Sequence, residues 1–178
     1  TYEHLVAIPL IDEKELVLAR NNAKFEFLLH HILIGHTGSS LAQPPSRTID
    51  EALLLTQNIR SKYIGGASFR DLAKQHSNDP SVVNNSGRLG WVGWGLTVPE
   101  FQSAAFSMKK NTVSKPILTV FGYHLIFVED IKNSDYHYME SEEYENTIVN
   151  LSKRTVRNKL TRAAIVYDSL SLIKNNVF

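Results

Sequence analysis

Apolar positions along the chain fall into short segments whose spacing predicts strands and helices. Residues 25–36 are rich in aromatic and β-branched side chains and contain no helix breaker before Gly35, which predicts a buried strand. Alternation along this strand would place His31 on one face and His30 on the other. Further short apolar segments also predict strands. The predicted strands are 27–35, 88–94, 116–120 and 122–129.

Helical spacing and capping residues predict four helices before residue 110. Thr48 and Glu51 form a capping box, Ser68 caps a second helix, and Pro99 suits the first position of a third. The predicted helices are 12–23, 48–64, 68–76 and 99–107. The positions that we expect the helix after Thr48 to bury are Ile49, Leu53, Thr56, Ile59 or Arg60, and Tyr63.

The order of these elements predicts the fold class and the domain organisation. Helices follow the first strand as a group, and two strands follow one another near the end, so the pattern is α+β rather than alternating βαβ. We expect a small antiparallel four-stranded sheet surrounded by helices, with additional helices on both flanks. The expected divisions are an N-terminal helical flank at 1–25, a central domain at 26–130 and a C-terminal helical segment at 131–178.

The C-terminal segment predicts one long amphipathic helix from about residue 141 to residue 175. Its apolar stripe is Tyr144, Ile148, Leu151, Leu160, Ala163, Tyr167, Leu170 and Ile173. Soluble monomers seldom leave such a surface bare, so we expect it to dock. The expected partner is the N-terminal helix, through Leu16, Val17 and Leu18, with residues 130–139 as a linker.

Composition and charge exclude several classes of function. The 178 residues are 43% hydrophobic with a net charge of +1, which is ordinary for a folded protein and gives no broad attraction to nucleic acid. The absence of Cys excludes disulfides, thiolate metal sites and a cysteine nucleophile. No apolar run approaches the roughly 20 residues that span a bilayer. We therefore expect membrane contact only through an anchor removed from the chain, together with any targeting segment.

A metal site is the obvious alternative for a chain with seven histidines. The spacing of His30, His31 and His36 does not form the helical H-x-x-x-H pattern, and no carboxylate cluster accompanies them. The glycines of segment 87–95 are not followed by the Lys-Ser/Thr pair of a phosphate-binding loop. We expect no metal and no cofactor.

Five short motifs, in order, resemble those of the parvulin-type peptidyl-prolyl cis–trans isomerases. Each motif alone is weak, but their order and spacing are specific, and they cover about 27–128. The matching residues are His31-Ile32-Leu33-Ile34; Gly66, Phe69, Leu72, Ala73, Ser77 and Asp79; Gly87-Arg88-Leu89-Gly90; Val98-Pro99, Phe101, Ala104 and Phe106; and Pro116, Thr119 and Gly122-Tyr123-His124.

The resemblance implies a site in which two histidines meet at the centre of the sheet beneath the substrate. The catalytic positions that it implies are His31, Asp79, Thr119 and His124. The substrate-binding positions that it implies are Leu89, Thr97, Phe101 and Phe121. One departure is Thr97, where many members of the family have Met. Trp91 and Trp94 are further candidates for contact with a peptide, and a packing role for both, beside the adjacent glycines, is the equal alternative.

Rotation about an X–Pro bond explains why such a site needs no cofactor. The barrier is about 18–20 kcal/mol, and uncatalysed exchange takes roughly 10–100 s. A thousandfold acceleration requires only about 4 kcal/mol, and no bond breaks. An apolar slot for the proline ring and a few fixed polar groups that favour the twisted amide are sufficient.

The resemblance implies a bacterial folding factor, an isomerase or rotamase acting on proline-containing polypeptide clients outside the cytoplasm, either periplasmic or surface-anchored. A catalytically weak parvulin-fold chaperone or peptide-binding module is the alternative, favoured by Thr97 and opposed by the retained His31, Asp79 and His124. A homodimer through the helical flanks is a third reading. Each histidine could also be a core residue, and Asp79 could serve only the turn that precedes Pro80.

Overall fold

The structure, a computed structural model, describes residues 13–175, with side chains described for 13–157 and 160. Within these residues lie five strands, six α-helices and one 3-10 helix. The strands are β1 (Phe25–Ile34), β2 (Arg88–Gly93), β3 (Thr112–Val113), β4 (Ile117–Thr119) and β5 (Gly122–Asn133). The helices are α1 (Glu13–Asn22), α2 (Ile49–Ile64), α3 (Phe69–His76), α4 (Val82–Asn85), α5 (Pro99–Phe106), the 3-10 helix (Asp135–Tyr138) and α6 (Ser141–Asn175).

The sheet is antiparallel in the order β2-β1-β5-β3, and β4 pairs with the start of β5. This confirms the predicted α+β fold with helices around an antiparallel sheet. The predicted count of four strands is wrong, because β3 pairs its two residues with Val128 and Phe127 of β5. Two residues are too few to show an alternating pattern, so only the pairing reveals this strand.

The two central strands, β1 and β5, separate two apolar cores. Ile32 and Ile34 on one face pack with residues of α2 and α3. Phe27 and Leu29 on the other face pack with α5. His31 shares the face of α5, as strand alternation predicts.

Strand β5 is longer than expected, because it remains paired with the beginning of β1. Asn133 of β5 lies opposite Phe25, four residues beyond the predicted strand end at 129. The expected linker 130–139 is therefore strand in its first part and includes the 3-10 helix in its second. The turn-rich segment before β2 also contains the short helix α4, which the sequence pattern did not predict.

Helix α6 docks on α1 and on the sheet domain, which confirms the predicted docking for the first half of its stripe. The cluster that it forms comprises Ala19, Ala23, Trp94, Tyr144, Ile148 and Leu151. The Tyr144 hydroxyl donates a hydrogen bond to the carbonyl of Arg20 at 2.6 Å. The Arg20 guanidinium contacts the Glu145 carboxylate at 2.9 Å.

The predicted face of α1 is partly wrong. Val17 and Leu18 are 41% and 45% exposed, whereas Leu16 and Ala19 pack against α6. Leu160 of the stripe is half-buried. The remaining stripe positions, Ala163, Tyr167, Leu170 and Ile173, lie outside the residues whose side chains are described. No helix in residues 13–175 combines the length and apolarity that crossing a bilayer requires.

Candidate active site

A cleft of about 450 Å³ opens on the α5 face of the sheet. Seven of the eight predicted site residues line it, and the eighth, Thr119, lies behind His124 with 3% of its surface exposed. The lining residues are His31, Leu33, Ser40, Leu41, Ala42, Asp79, Pro80, Leu89, Leu96, Thr97, Val98, Phe101, Phe121 and His124. The structure therefore brings the sequence-predicted residues together.

Four polar side chains form one hydrogen-bonded row at the floor of the cleft. Asp79 Oδ2 lies 2.6 Å from His31 Nε2, and His31 Nδ1 lies 3.3 Å from His124 Nδ1. His124 Nε2 lies 2.9 Å from the Thr119 hydroxyl. Both imidazole rings are buried and stacked, with 5.5 Å between their centroids and 21° between their planes.

Strand pairing places the two histidines side by side. Leu33 of β1 lies opposite His124 of β5, and His31 lies opposite Ile126, so the histidines are diagonal neighbours on one face. The His31 N–H donates a hydrogen bond to the Gly87 carbonyl oxygen at 2.7 Å. A Cβ on Gly87 would lie 2.6 Å from the His31 carbonyl oxygen, so only glycine allows this close approach.

The segment after α3 holds Asp79 in place. Asp79 Oδ1 accepts the Ser81 N–H at 2.9 Å, and the Ser77 hydroxyl accepts the N–H groups of Leu33 and Asp79. The hydrogen bond with His31 lowers the pKa of the Asp79 carboxyl well below its usual range, against the opposing effect of burial. Asp79 thus serves both the turn and the histidine row, as a carboxylate.

The charge states of the row determine its hydrogen bonds. Burial, and secondarily the charge on His31, lower the pKa of His124 to about 3, while Asp79 acts in the opposite direction. His124 is therefore neutral at pH 7, and the Asp79 carboxylate can only accept from His31 Nε2. With neutral His31, Thr119 donates to His124, which donates to His31. With protonated His31, these two bonds reverse, and the Thr119 hydroxyl turns to the Gly122 carbonyl oxygen at 3.4 Å.

Phe101 covers the histidine pair edge-on. Its ring centroid lies 6.0 Å from that of His31 and 5.3 Å from that of His124, with interplanar angles of 78° and 83°. Leu89 and Phe121 add apolar walls. Thr97 lines the same cleft, where its side chain offers less apolar surface than a methionine would.

Sequence reasoning missed one wall of the cleft, which the loop between β1 and α2 provides through Ser40, Leu41 and Ala42. The Ser40 N–H donates to the Val120 carbonyl at 2.8 Å, which ties this loop to the β4–β5 turn. The loop sequence has no period, so no local signal identifies these residues as part of the site.

The two tryptophans do not line the cleft. Trp94 is 3% exposed and packs between α5 and α6, which agrees with a packing role. Trp91 is 39% exposed, with the Lys132 ammonium 4.7 Å from its ring centroid. Within the described part of the chain, no three His, Cys, Asp or Glu side chains lie together as a metal site would require.

Known proteins are similar to this chain in sequence. The family model "Rotamase: PPIC-type PPIASE domain" matches residues 31–130. The chain is 32% identical over 166 residues to "Foldase protein PrsA" of Geobacillus kaustophilus, a match that covers 93% of this chain and 50% of that protein. It is 33% identical over 132 residues to "Chaperone SurA" of Chromohalobacter salexigens, covering 74% and 28%. The chain thus spans about half the length, or less, of these relatives.

Solved structures share the fold. The crystal structure of "Peptidylprolyl Isomerase (PrsA)" from Bacillus cereus superimposes with a TM-score of 0.60 at 25% identity, covering 97% of this chain and 57% of the other. That of the Bacillus anthracis protein gives 0.59 at 26% identity, covering 89% and 67%. Since the family model matches more than half of the chain and the fold agrees, this chain belongs to the PPIC-type, or parvulin, family of peptidyl-prolyl cis–trans isomerases.

Proposed function

We propose that this chain accelerates cis–trans rotation about X–Pro bonds in polypeptide clients, as the isomerase part of a bacterial folding factor. The observation that carries the proposal is the row Asp79–His31–His124–Thr119 at the floor of an apolar cleft, directly beneath Phe101. The names of the relatives, foldase and chaperone, support polypeptides as substrates.

In this proposal the cleft acts by binding the twisted amide better than the planar one. Phe101, Leu89 and Phe121 hold the proline ring, which leaves the residue before proline free to rotate. His31 and His124 present fixed dipoles beside the rotating bond, and such groups need no reorganisation during the reaction. Asp79 and Thr119 act through the histidines, because each holds one ring in its orientation.

A binding module with little catalytic power is the second candidate, because Thr97 offers the proline ring a smaller wall. The two candidates differ in rate and not in affinity. A binding module would hold proline peptides in this cleft while leaving their exchange near the uncatalysed scale of tens of seconds.

The deciding experiment is NMR exchange spectroscopy, or a protease-coupled assay, on short X–Pro peptides. We expect acceleration that persists after dialysis against a chelator and after treatment with a thiol reagent, because the chain has no Cys and the proposed chemistry uses no metal. His124→Ala and Phe101→Ala should each lower the rate, with circular dichroism reporting that the fold remains. Val83→Ala is the control, since Val83 is 85% exposed and lies outside the cleft. Peptide binding without acceleration would favour the second candidate, and full activity in both site variants would reject the proposed site.

The setting of this activity is also a proposal. We place the isomerase domain at 26–130, between helical flanks at 1–25 and 131–178, and we expect the flanks to hold unfolded clients or to form a homodimer. The resemblance to extracytoplasmic folding factors favours a periplasmic or surface-anchored location. Fractionation of the source cells with an antibody against this chain tests the location, and recovery in the cytoplasm would contradict it.

A further inference from the structure

The segment between β2 and α5 forms one wall of the proline cleft, the cleft that contains the histidine row and Phe101. Leu96, Thr97 and Val98 are the residues of this wall. Val98 also packs against the core beneath α5, so the sheet domain holds the end of the wall that leads into α5. Leu96, at the other end, is 57% exposed, so its own side chain does little to hold the wall in place. At this end the wall depends on the residues that precede it.

Helix α6 lies directly against those preceding residues. Trp94 is 3% exposed and packs in the cluster with Ile148 and Leu151 of α6. A Cβ placed on Gly95 would lie 3.2 Å from Leu151 Cδ2 and 3.7 Å from Arg154 Cδ, so the backbone of Gly95 comes close to α6. Gly95 also has a φ of +87°, which favours glycine. The close approach and the left-handed backbone together explain why a glycine stands at this position.

A buried hydrogen bond connects the same glycine to α5. The Gly95 N–H donates to the side-chain carbonyl oxygen of Gln102, which is 1% exposed. Gln102 follows Phe101, whose ring covers the histidine pair. Gly95 is therefore in contact with both α6 and α5, immediately before the cleft wall begins at Leu96.

We propose that α6 positions this wall of the proline cleft through Leu151 and Gly95, so that the C-terminal flank sets how tightly the isomerase domain binds its client. The proposal rests on the proposed function, because the client and the proline cleft are those described above. Leu151 does not line the proline cleft, so it is a positioning residue that acts through Gly95.

This role affects binding and not the rotation step. The wall holds the client in both the planar and the twisted state of the X–Pro bond, whereas the fixed dipoles of His31 and His124 come from β1 and β5. An interaction made equally in both states changes KM and leaves kcat unchanged. Loss of the contact between α6 and Gly95 should therefore raise KM with little change in kcat.

The first test compares two truncations in α6. Leu151→Ala removes the side chain nearest to Gly95, whereas Ile148→Ala removes a comparably buried side chain of the same cluster that is not among the atoms nearest to Gly95. At a temperature where both variants are folded, we expect Leu151→Ala to raise KM for an X–Pro peptide about fivefold with kcat nearly unchanged. Ile148→Ala should leave both constants unchanged, and Leu151→Met should restore most of the affinity. An equal effect of the two Ala variants on KM, or no effect of Leu151→Ala, would overturn the inference.

Gly95→Ala tests the same contact from the side of the wall. Its Cβ would lie 3.2 Å from Leu151 Cδ2, so the wall and α6 must move apart. We expect KM to rise about fivefold, as for Leu151→Ala. Gly66→Ala is the matched control, because Gly66 has a φ of +101° and its Cβ would meet nothing within 4 Å. An unchanged KM in Gly95→Ala, or the same rise in Gly66→Ala, would contradict the inference.

A measurement without peptide separates this inference from the isomerase proposal. The methyl resonances of Leu96, Thr97 and Val98 report the position of the wall whether or not the chain accelerates exchange. We expect them to shift in Leu151→Ala and to move far less in Ile148→Ala. Unshifted resonances in Leu151→Ala would reject the role of α6 even if the isomerase function holds. The expected shifts in a chain without isomerase activity would support the positioning of the wall and reject only the proposed function.

Discussion

At the scale of single residues, the Thr119 hydroxyl connects the histidine row to the β4–β5 turn. It lies 2.9 Å from His124 Nε2 and accepts the Phe121 N–H at 3.1 Å. Thr119 does not line the cleft, so it would influence catalysis only by orienting His124. Its position illustrates why the site needs partners behind the side chains that face the substrate.

Replacing this hydroxyl gives a prediction that separates orientation from binding. Thr119→Val keeps the shape of the side chain but leaves His124 Nε2 without its partner. We expect kcat on a short X–Pro peptide to fall about tenfold, the equivalent of one hydrogen bond, with KM nearly unchanged. Thr119→Ser restores the hydroxyl and should restore most of the activity. A fully active Val variant, or a Ser variant as impaired as Val, would contradict this role.

Thr97 gives a second prediction at this scale. Thr97→Met adds apolar surface to the wall that meets the proline ring, and we expect kcat/KM to rise about fivefold. Thr97→Ala should not raise it, because it adds no surface. Steady-state rates at several peptide concentrations measure both variants. An unchanged value for the Met variant would mean that position 97 does not contact the ring in the productive complex.

At the scale of elements, α6 packs against both the N-terminal helix α1 and the sheet domain. Ile148 of α6 is completely buried in the cluster with Ala19, Trp94 and Leu151. The Tyr144–Arg20 and Arg20–Glu145 hydrogen bonds add polar contacts to the same surface. Apolar burial dominates here, because the ion pair is exposed and exposed pairs contribute little.

This packing gives a prediction about stability. Ile148→Ala should lower the free energy of unfolding by about 2–4 kcal/mol, the usual cost of such a cavity. Urea denaturation measures the change, and hydrogen exchange should show faster opening of α1. Val83→Ala should change stability by less than about 0.5 kcal/mol, as exposed substitutions usually do.

Deleting the residues after Glu140 provides a stronger version of the test. The truncated chain should become less soluble or less stable, because the apolar face of α1 and the Trp94 side chain would be exposed to water. If it stayed equally soluble, stable and monomeric, with hydrogen exchange in α1 unchanged, the docking of α6 would have no energetic importance.

At the scale of the whole molecule, folding removes His124 from water and pairs Asp79 with His31, and the stability of the chain becomes linked to pH. The folded pKa of His124 is about 3 against an ordinary value of 6.5, and that of Asp79 is also lowered. The unfolded state therefore binds more protons than the folded state between about pH 3 and pH 6.5. The contribution of neutral His124 to the free energy of unfolding is complete above pH 6.5 and is lost as the pH falls toward 3. The contribution of the Asp79 carboxylate is lost below about pH 4.

We therefore expect acid to destabilise the protein. Between pH 7 and pH 4, His124 alone should lower the free energy of unfolding by on the order of 3 kcal/mol, from about 1.4 kcal/mol per pKa unit. Chemical denaturation at a series of pH values measures this slope. His124→Gln removes the titrating group, so the loss of unfolding free energy between pH 7 and pH 4 should be smaller by that amount in the variant. Identical slopes in the two proteins would show that His124 is not a buried neutral imidazole.

The sequence by itself determined the features that depend on neighbouring residues. The capping box of Thr48 and Glu51 begins α2 as predicted, and the hydroxyl and carboxylate make both expected bonds. Alternation along β1 placed His31 on the correct face, and motif spacing identified seven residues of one cleft. The capping box and the alternation follow from backbone geometry with periods of two or about four residues, which a sequence displays directly. The seven cleft residues were predicted from the resemblance to the parvulin motifs.

Only the tertiary structure decided the features that join distant segments. Helix α2 buries Ala52, Thr56 and Ile59, whereas the predicted Ile49 is 41% exposed, because the direction from which the sheet approaches selects the buried face. The same holds for the two-residue strand β3, the cleft wall around Leu41, and the cluster that Trp94 forms with α1 and α6. Each arises where packing brings together residues tens of positions apart, and such contacts leave no periodic trace in the sequence.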